Sequence, residues 1–220
     1  IASCLVGSEM CIRDRMSPWL SRALDLSRAR GFLGPQPVEI QAAHAEGFAG
    51  VWGEFGSAPP QNTLDLGSGG GVPGLILLDL WHSPVTMLDA MEKRTSFLRE
   101  VLAWEGAPQG GSVISGRSEA VARVPELVEA FDLVVARSFA PPAVTAECAS
   151  RFLSMGAYLI VSEPPEESDS RWDGKGLNQL GLDDLGVFRS GAHFRVMKKV
   201  SPTPDEFPRP VGVPGKKPLF

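Results

Sequence analysis

The run Thr63-Leu64-Asp65-Leu66-Gly67-Ser68-Gly69-Gly70-Gly71-Val72-Pro73-Gly74-Leu75 decides how the rest of this chain is read. An acidic residue inside a short apolar stretch leads into a glycine cluster, then a proline and a long apolar segment. That order predicts a buried strand, a tight turn and a helix beginning on the far side of the turn. Glycine suits such a turn because it accepts positive φ and places no Cβ between the main chain and a bound molecule. Pro73 suits the first turn of a helix, where its missing N–H costs nothing. Taken alone, the cluster reads equally well as a glycine-rich surface loop, so its neighbours have to decide.

Downstream, strands and helices alternate. Strands are predicted over Leu64–Leu66, Val85–Leu88, Ser112–Ser115, Phe131–Ala136 and Ala157–Val161. Helices are predicted over Pro73–Trp81, Lys93–Trp104, Ala120–Ala130 (shortened or broken at Pro125) and Pro142–Leu153, the last capped by Gly156. Apolar strands separated by helices call for a parallel sheet covered on both faces. After a polar run from Glu163 to Gly181, Leu185–Arg189 and His193–Val200 are spaced for an antiparallel hairpin at the sheet edge. The fold class is therefore α/β, a doubly wound and mostly parallel seven-stranded sheet. Two helical segments precede it. One is built on Trp19, Leu20, Ala23, Leu24, Leu26 and Leu33. The other runs from Val38 to Phe55, with Ile40 on its apolar face and His44 and Glu46 solvated.

Composition limits the function less sharply. The 220 residues carry a net charge of −5, which gives no support to bulk attraction of nucleic acid. From Arg189 onward, however, seven basic residues face two acidic ones, so a basic end of +5 follows a body of −10. Such an end suits an anionic partner and is equally compatible with ordinary surface. No apolar run approaches the ~20 residues of a membrane span. Three cysteines form neither a disulfide framework nor a metal spacing. Ser3 to Arg15 resembles the translation of a sequencing adapter, so residues 1–15 are expected to be an artefactual leader and Cys148 a buried structural thiol. The expected divisions are residues 16–61 (helical extension), 62–200 (ligand-binding domain) and 201–220 (basic Pro/Gly-rich tail). The cytoplasm is the default compartment and a monomer the default state.

Open parallel sheets bind ligands beyond the carboxyl ends of their strands. Here those ends carry the glycine turn, Asp89, Ser118-Glu119 and Arg137. Asp89 lies twenty-two residues past Gly67, about the distance at which a carboxylate meets a ribose diol; alone, it would read as a helix N-cap. A dinucleotide fingerprint, Gly-x-Gly-x-x-Gly, fails from Gly67 because Val72 stands where the third glycine belongs. From Gly69 it fits, but two residues late. The pattern acid-x-Gly-x-Gly-x-Gly fits directly as Asp65, Gly67, Gly69 and Gly71, and resembles the first motif of doubly wound (Rossmann-like, class I) S-adenosylmethionine-dependent methyltransferases.

Three further stretches sharpen that resemblance. They are the run on to Val72-Pro73-Gly74-Leu75, then Leu88-Asp89-Ala90-Met91-Glu92-Lys93-Arg94-Thr95-Ser96-Phe97-Leu98, then Ala136-Arg137-Ser138-Phe139-Ala140. With the ending Phe207-Pro208-Arg209-Pro210-Val211-Gly212-Val213-Pro214-Gly215-Lys216-Lys217-Pro218-Leu219, the chain resembles the glucose-inhibited division protein B family from about Asn62 onward. The resemblance implies methylation of a guanine nitrogen 7 in 16S ribosomal RNA of the small subunit. It also implies S-adenosyl-L-methionine contacts at Gly67, Val72, Ser118, Glu119 and Arg137; the strand-end reading adds Gly69 and Asp89. The chain departs from the family pattern in lacking an Asn-Leu-Thr segment before the core and in having Pro210 at a commonly basic position.

No catalytic nucleophile or base is legible, and no Asn/Asp-Pro-Pro-aromatic motif follows the fourth strand. Guanine nitrogen 7 carries an in-plane lone pair and loses no proton on methylation, so alignment alone would serve. Arg137 and Phe139 are the candidates for holding the base, by hydrogen bonding and stacking. Arg209, Lys216 and Lys217 are the candidates for phosphates. The competing expectations are a dinucleotide-dependent oxidoreductase and a non-catalytic RNA-binding or assembly protein.

Overall fold

The computed structural model describes residues 16–165 and 171–220; the adapter-like leader, with Cys4 and Cys11, lies outside the described residues. The first helix, α1 (Pro18–Ala29), starts where the sequence supplies its own cap: the Ser17 hydroxyl accepts the Leu20 N–H at 3.1 Å and Pro18 follows. α2 is Val38–Trp52. The alternating part then runs β1 (Thr63–Leu66), α3 (Gly74–Trp81), β2 (Val85–Asp89), α4 (Glu92–Leu102), β3 (Gly111–Ser115), a one-turn α5 (Ser118–Val121), β4 (Phe131–Ala136), α6 (Pro142–Ser150) and β5 (Leu153–Glu163). It closes with α7 (Gly174–Gln179), β6 (Leu182–Arg189), β7 (His193–Lys199) and a short α8 (Val213–Lys216) in the tail.

The sheet has seven strands in the order β3-β2-β1-β4-β5-β7-β6. β1 to β5 are parallel, and β7 is antiparallel to both β5 and β6, so the expected hairpin stands at the edge. The order reverses between β1 and β4, and a crevice for ligand forms beyond the strand ends at such a switch point. Alternate residues of the strands feed two cores. Met87, Leu133, Val135 and Val196 pack against α1 to α4, whereas Leu66, Leu88, Val134 and Ala136 pack against α5 to α7 and Phe207 of the tail. The helical segment and the tail are thus layers of one three-layer structure rather than appendages.

Three local expectations are corrected. The helix expected to reach Leu153 stops at Ser150; Leu153 opens β5, and Gly156, expected as a helix cap, sits at φ +83° within that strand, beside a register shift against β4. Pairing of Leu153 with Phe131 outweighs the local helical pattern. Ile40, placed on the apolar face of α2, is 42% exposed. His44, expected to be solvated, packs on Phe194 and Phe48, with ring centroids 5.4 and 6.1 Å away, because the hairpin covers that side of α2.

The contact between α2 and the hairpin leaves no room for a methyl group. A Cβ at Gly47 would lie 2.5 Å from the Ser190 carbonyl oxygen and 2.6 Å from the Phe194 ring. Gly47→Ala gains about 1 kcal/mol of helix propensity, but overpacking costs about 1–3 kcal/mol, and backbone cannot rotate away. The expected net effect in urea melts is a loss of about 1 kcal/mol; a stabilised variant would show that the contact is looser than described.

Candidate functional site

β1 ends at Leu66, and the glycine turn folds directly over the end of β2. The N–H groups of Gly67 and Ser68 both reach the Leu88 carbonyl, at 2.8 and 3.0 Å. The Gly69 N–H goes to Asp89 Oδ2 at 2.9 Å, and the Gly71 N–H to the Ser68 carbonyl at 2.8 Å. Gly67, Gly69 and Gly71 all have positive φ, so the spacing of glycines at alternate positions is a backbone requirement. A Cβ on Gly67 would overlap the ring of Phe139, which lies flush on the turn.

Asp65 is the residue that the sequence reading used only to set the frame of the motif. Its side chain is 1% exposed, and Oδ2 accepts the N–H of Gly74, the first residue of α3, at 2.9 Å. The next N–H groups of α3 bond to the carbonyls of Gly71 and Pro73. The N–H groups of Gly67, Ser68, Gly69 and Gly71 in the turn and those of the helix N-terminus are therefore satisfied internally, and the site at the helix end is filled by a carboxylate. In dinucleotide folds the pyrophosphate occupies that position; here the Asp65 carboxyl already takes the Gly74 N–H there, which argues against the oxidoreductase alternative. Asp65 Oδ1 is buried without a partner. Burial pushes the carboxyl up to about 7, against the pull of the Ser68 and Gly74 hydrogen bonds and of Arg137.

Three cavities adjoin along the carboxyl edge of the sheet. One of about 310 Å³ is lined by Asp89, Gly116, Ser118, Glu119, Val144 and Cys148, with Gly67 and Phe139 at its inner end. A second, about 300 Å³, lies across Gly67 and is formed by Ser68, Gly69, Val72 and Arg137 with Leu33 and Gln41 from the N-terminal segment. A third, about 370 Å³, lies beyond Arg137 and is lined by His44, Phe139, Pro142, Glu163 and Trp172. Arg94 borders the first two cavities and stands 3.5 Å from Asp89 Oδ2.

The seven residues expected around a cofactor are distributed over the first two cavities, with Arg137 on the boundary to the third. The residue that caps the following helix is Met91, so Asp89 is not the N-cap that it would read as alone. Asp89 faces the first cavity, while Oδ1 accepts the Met91 N–H at 2.8 Å ahead of α4 and Oδ2 holds Gly69. Glu119 is 3% exposed. Burial pushes its carboxyl up, but the N–H groups of Gly212 and of its own peptide, together with Arg117, more than reverse this and leave it below the usual range. Cys148 is a buried thiol raised to about 12, chiefly by burial.

The tail residues do not behave as one group. Lys216 and Lys217 are exposed. Arg209, expected at phosphates, instead closes a bidentate pair on Glu147 of α6, with Nε–Oε1 at 2.9 Å and Nη2–Oε2 at 2.6 Å; the glutamate is wholly buried. A buried carboxylate requires a partner, and no local signal in the sequence linked two residues sixty-two apart. The sequence reading also missed Arg94, His44 and Glu163. Arg94 alone carried a signal, its place on the first turn of the helix after Asp89.

The sheet order, the glycine turn and the carboxylate at the second strand end define a nucleoside-cofactor fold of the class I methyltransferase type. Solved structures with this fold include a SAM-dependent methyltransferase from Aquifex aeolicus, at TM-score 0.55 and 19% identity over 83% of this chain and 98% of that one. PigF with SAH gives TM-score 0.59 and 18% identity over 80% and 59%. The family model of rRNA small subunit methyltransferase G (GidB) matches residues 49–167. Ribosomal RNA small subunit methyltransferase G of Symbiobacterium thermophilum is 35% identical over 201 residues, covering 83% of this chain and 80% of the relative. The Moorella thermoacetica protein of the same name is 32% identical over 171 residues, covering 73% and 70%. The chain belongs to this family of small-subunit rRNA methyltransferases.

The state of Asp65 is testable through stability. Its pKa is raised by folding, so its contribution to stability is full below the unfolded value near 3.8 and is lost as pH rises through about 7. Asp65→Asn keeps an acceptor for Gly74 and cannot ionise. In thermal melts its advantage over the unaltered protein is expected to grow by about 2–3 kcal/mol between pH 5 and pH 8. A constant difference across that range would mean that Asp65 ionises normally.

Proposed function

We propose that the protein is an S-adenosyl-L-methionine-dependent methyltransferase that modifies nitrogen 7 of a guanine in 16S ribosomal RNA of the small subunit, working in the cytoplasm as a monomer. In this reading residues 62–200 carry the cofactor, residues 16–61 complete one wall of its site, and residues 201–220 meet the RNA. The observation that carries it is the row of three cavities, two meeting at Gly67 and the third opening beyond Arg137. A nucleoside and an amino-acid arm that join at the sulfur, with an acceptor base facing that junction, require three compartments that meet, and Ser138 borders all three cavities here.

The residues present fit the cofactor. Asp89 can accept from a ribose diol, with Ser118 and Glu119 along the adenosine wall, while Gly67, Gly69 and Val72 leave a smooth floor toward the methionine end. When bound, the cofactor supplies an electrophilic methyl on sulfur. The chain's task is then to hold the acceptor in line, an entropic contribution. Arg137 donates to the base and Phe139 stacks on it. A proton acceptor is not needed at nitrogen 7, and the two candidates among the described residues of the third cavity are weak ones. Glu163 has Oε1 taken by Trp172 and Oε2 by Arg171, at 3.0 and 2.8 Å. Burial and then Arg137 hold His44 down at about 4, a weak base.

Undermethylated small subunits incubated with tritiated cofactor are expected to take label at a guanine, read by nuclease digestion and chromatography. S-adenosylhomocysteine binding without label in any ribosomal RNA would leave a non-catalytic RNA-binding protein. Gly67→Val, strained at φ +76° and colliding with Phe139, is expected to abolish S-adenosylhomocysteine binding in calorimetry. Charge reversal of the two exposed lysines, Lys216→Glu with Lys217→Glu, should weaken RNA binding and lower the salt slope by roughly 1.5. In the absence of RNA it should leave S-adenosylhomocysteine affinity as it was. Weakened cofactor affinity in that variant would contradict the assignment of these lysines to RNA.

A further inference from the structure

We propose that residues 201–220 form a strap that sets the position of Glu119, so that docking of the strap and occupancy of the adenosine cavity are energetically coupled; this rests on the cofactor reading above. The strap is fixed at several points. Arg123 donates to the carbonyls of Asp205, Glu206 and Pro208, at 3.3, 3.2 and 2.7 Å. Arg151 holds the Asp205 carboxylate at 3.1 Å and the Phe207 carbonyl at 3.3 Å. Arg209 places its backbone N–H and both arms of its guanidinium on Glu147. Phe207 and Pro214 are buried, and Phe220 packs so closely on Gly176 of α7 that no Cβ would fit there.

Between these anchors the strap makes one polar contact with the adenosine cavity. The Gly212 N–H donates to Glu119 Oε1 at 3.0 Å. The same oxygen receives Arg117 at 3.1 Å, and Ser118 stands 3.3 Å from Oε2. Glu119 sits on an isolated turn of helix, α5, with no second turn to brace it. Its carboxylate orientation therefore depends on Gly212, whose position is fixed in turn by the Arg209–Glu147 latch three residues upstream. Glu147 adjoins Cys148, another wall residue of the same cavity, so the latch is felt on two sides of it. Gly212 and Arg209 are positioning residues that act through Glu119, and neither lines the cavity. The strap also carries the exposed Lys216 and Lys217 four and five residues beyond Gly212. An anion bound there that favours the docked strap must by linkage favour cofactor, and the reverse.

Linkage supplies a test on the unaltered protein. If cofactor occupancy favours the docked strap, saturating S-adenosylhomocysteine must slow trypsin cleavage after Lys216, the one basic residue of the strap not followed by proline, read by mass spectrometry, by roughly tenfold. Equal cleavage rates with and without S-adenosylhomocysteine would overturn the coupling. The latch is tested by calorimetry. Arg209→Met alone would strand a buried carboxylate, so it is paired with Glu147→Gln to remove both charges. This double variant, with its fold checked by circular dichroism, is expected to bind S-adenosylhomocysteine roughly tenfold more weakly, about 1.4 kcal/mol. Unchanged affinity would reduce the latch to structural support and overturn the proposal. Failure of the unaltered protein to bind S-adenosylhomocysteine at all would instead overturn the cofactor reading, and the strap's role with it.

Discussion

The hydrogen bond from the Gly74 N–H to the buried carboxylate of Asp65 is the constraint on which the site depends. It ties the end of the first strand to the start of the helix that follows the glycine turn, across nine residues. Asp89 makes the matching tie from the neighbouring strand to Gly69. Between them the two carboxylates fix a segment that its glycines leave conformationally free. Burying a carboxylate is costly, and a helix N-terminus is among the few places where the cost is offset by backbone dipoles. That choice also commits the turn chemically. With Asp65 in the place where other doubly wound folds receive phosphate, the turn suits a cofactor whose link to the nucleoside carries no phosphate.

Around that fixed turn, the rest of the chain closes the cleft from two directions. On one side the Ser27 hydroxyl of α1 donates to the Gly70 carbonyl at 2.8 Å, and Gln41 of α2 stands 3.4 Å from Arg137. On the other, the tail reaches Glu119 through Gly212. Neither segment belongs to the alternating core, yet each touches the motif residues of a different strand end. The three-layer core explains why they can do so without loss of rigidity. Trp19 of α1 is buried and donates to the Val101 carbonyl at 2.7 Å, and Phe207 of the tail is buried on the opposite face.

What the sequence made legible follows from the range of each interaction. The strands from Leu64 to Ala136 are short apolar runs, and the spacing of glycines 67, 69 and 71 reflects backbone angles set within the turn itself; both signals are local. The hairpin was legible for the same reason. Arg209 was not, because a basic residue in a Pro/Gly-rich tail looks free until Glu147, in a helix of weak amphipathicity, is brought beneath it. His44 and Gly156 were misread for related reasons, since the hairpin that covers the first and the strand pairing that claims the second are both distant in sequence. Asp65 was legible as an acid in a buried strand, but nothing local reveals that its carboxyl will take the Gly74 N–H and keep one oxygen unpartnered.

The spending of the tail's charges bears on how an acidic protein would handle RNA. Arg123 and Arg151, from outside the tail, are occupied with its carbonyls and with Asp205, and Arg209 with Glu147. Lys216 and Lys217 remain exposed in the tail, so the basic end that looks like +5 in sequence presents far less than that to a phosphate backbone. Counterion release scales with the number of phosphates neutralised, and a small number gives modest, weakly salt-dependent affinity. On the proposed reading, selectivity cannot then rest on bulk attraction. It has to come from the cavity beyond Arg137, where a base must displace water and meet Phe139, and from whatever fixes the walls of the neighbouring cofactor cavity at that moment. A tail that is mostly latch and only partly phosphate contact suits that division of work: its charges hold geometry first and RNA second.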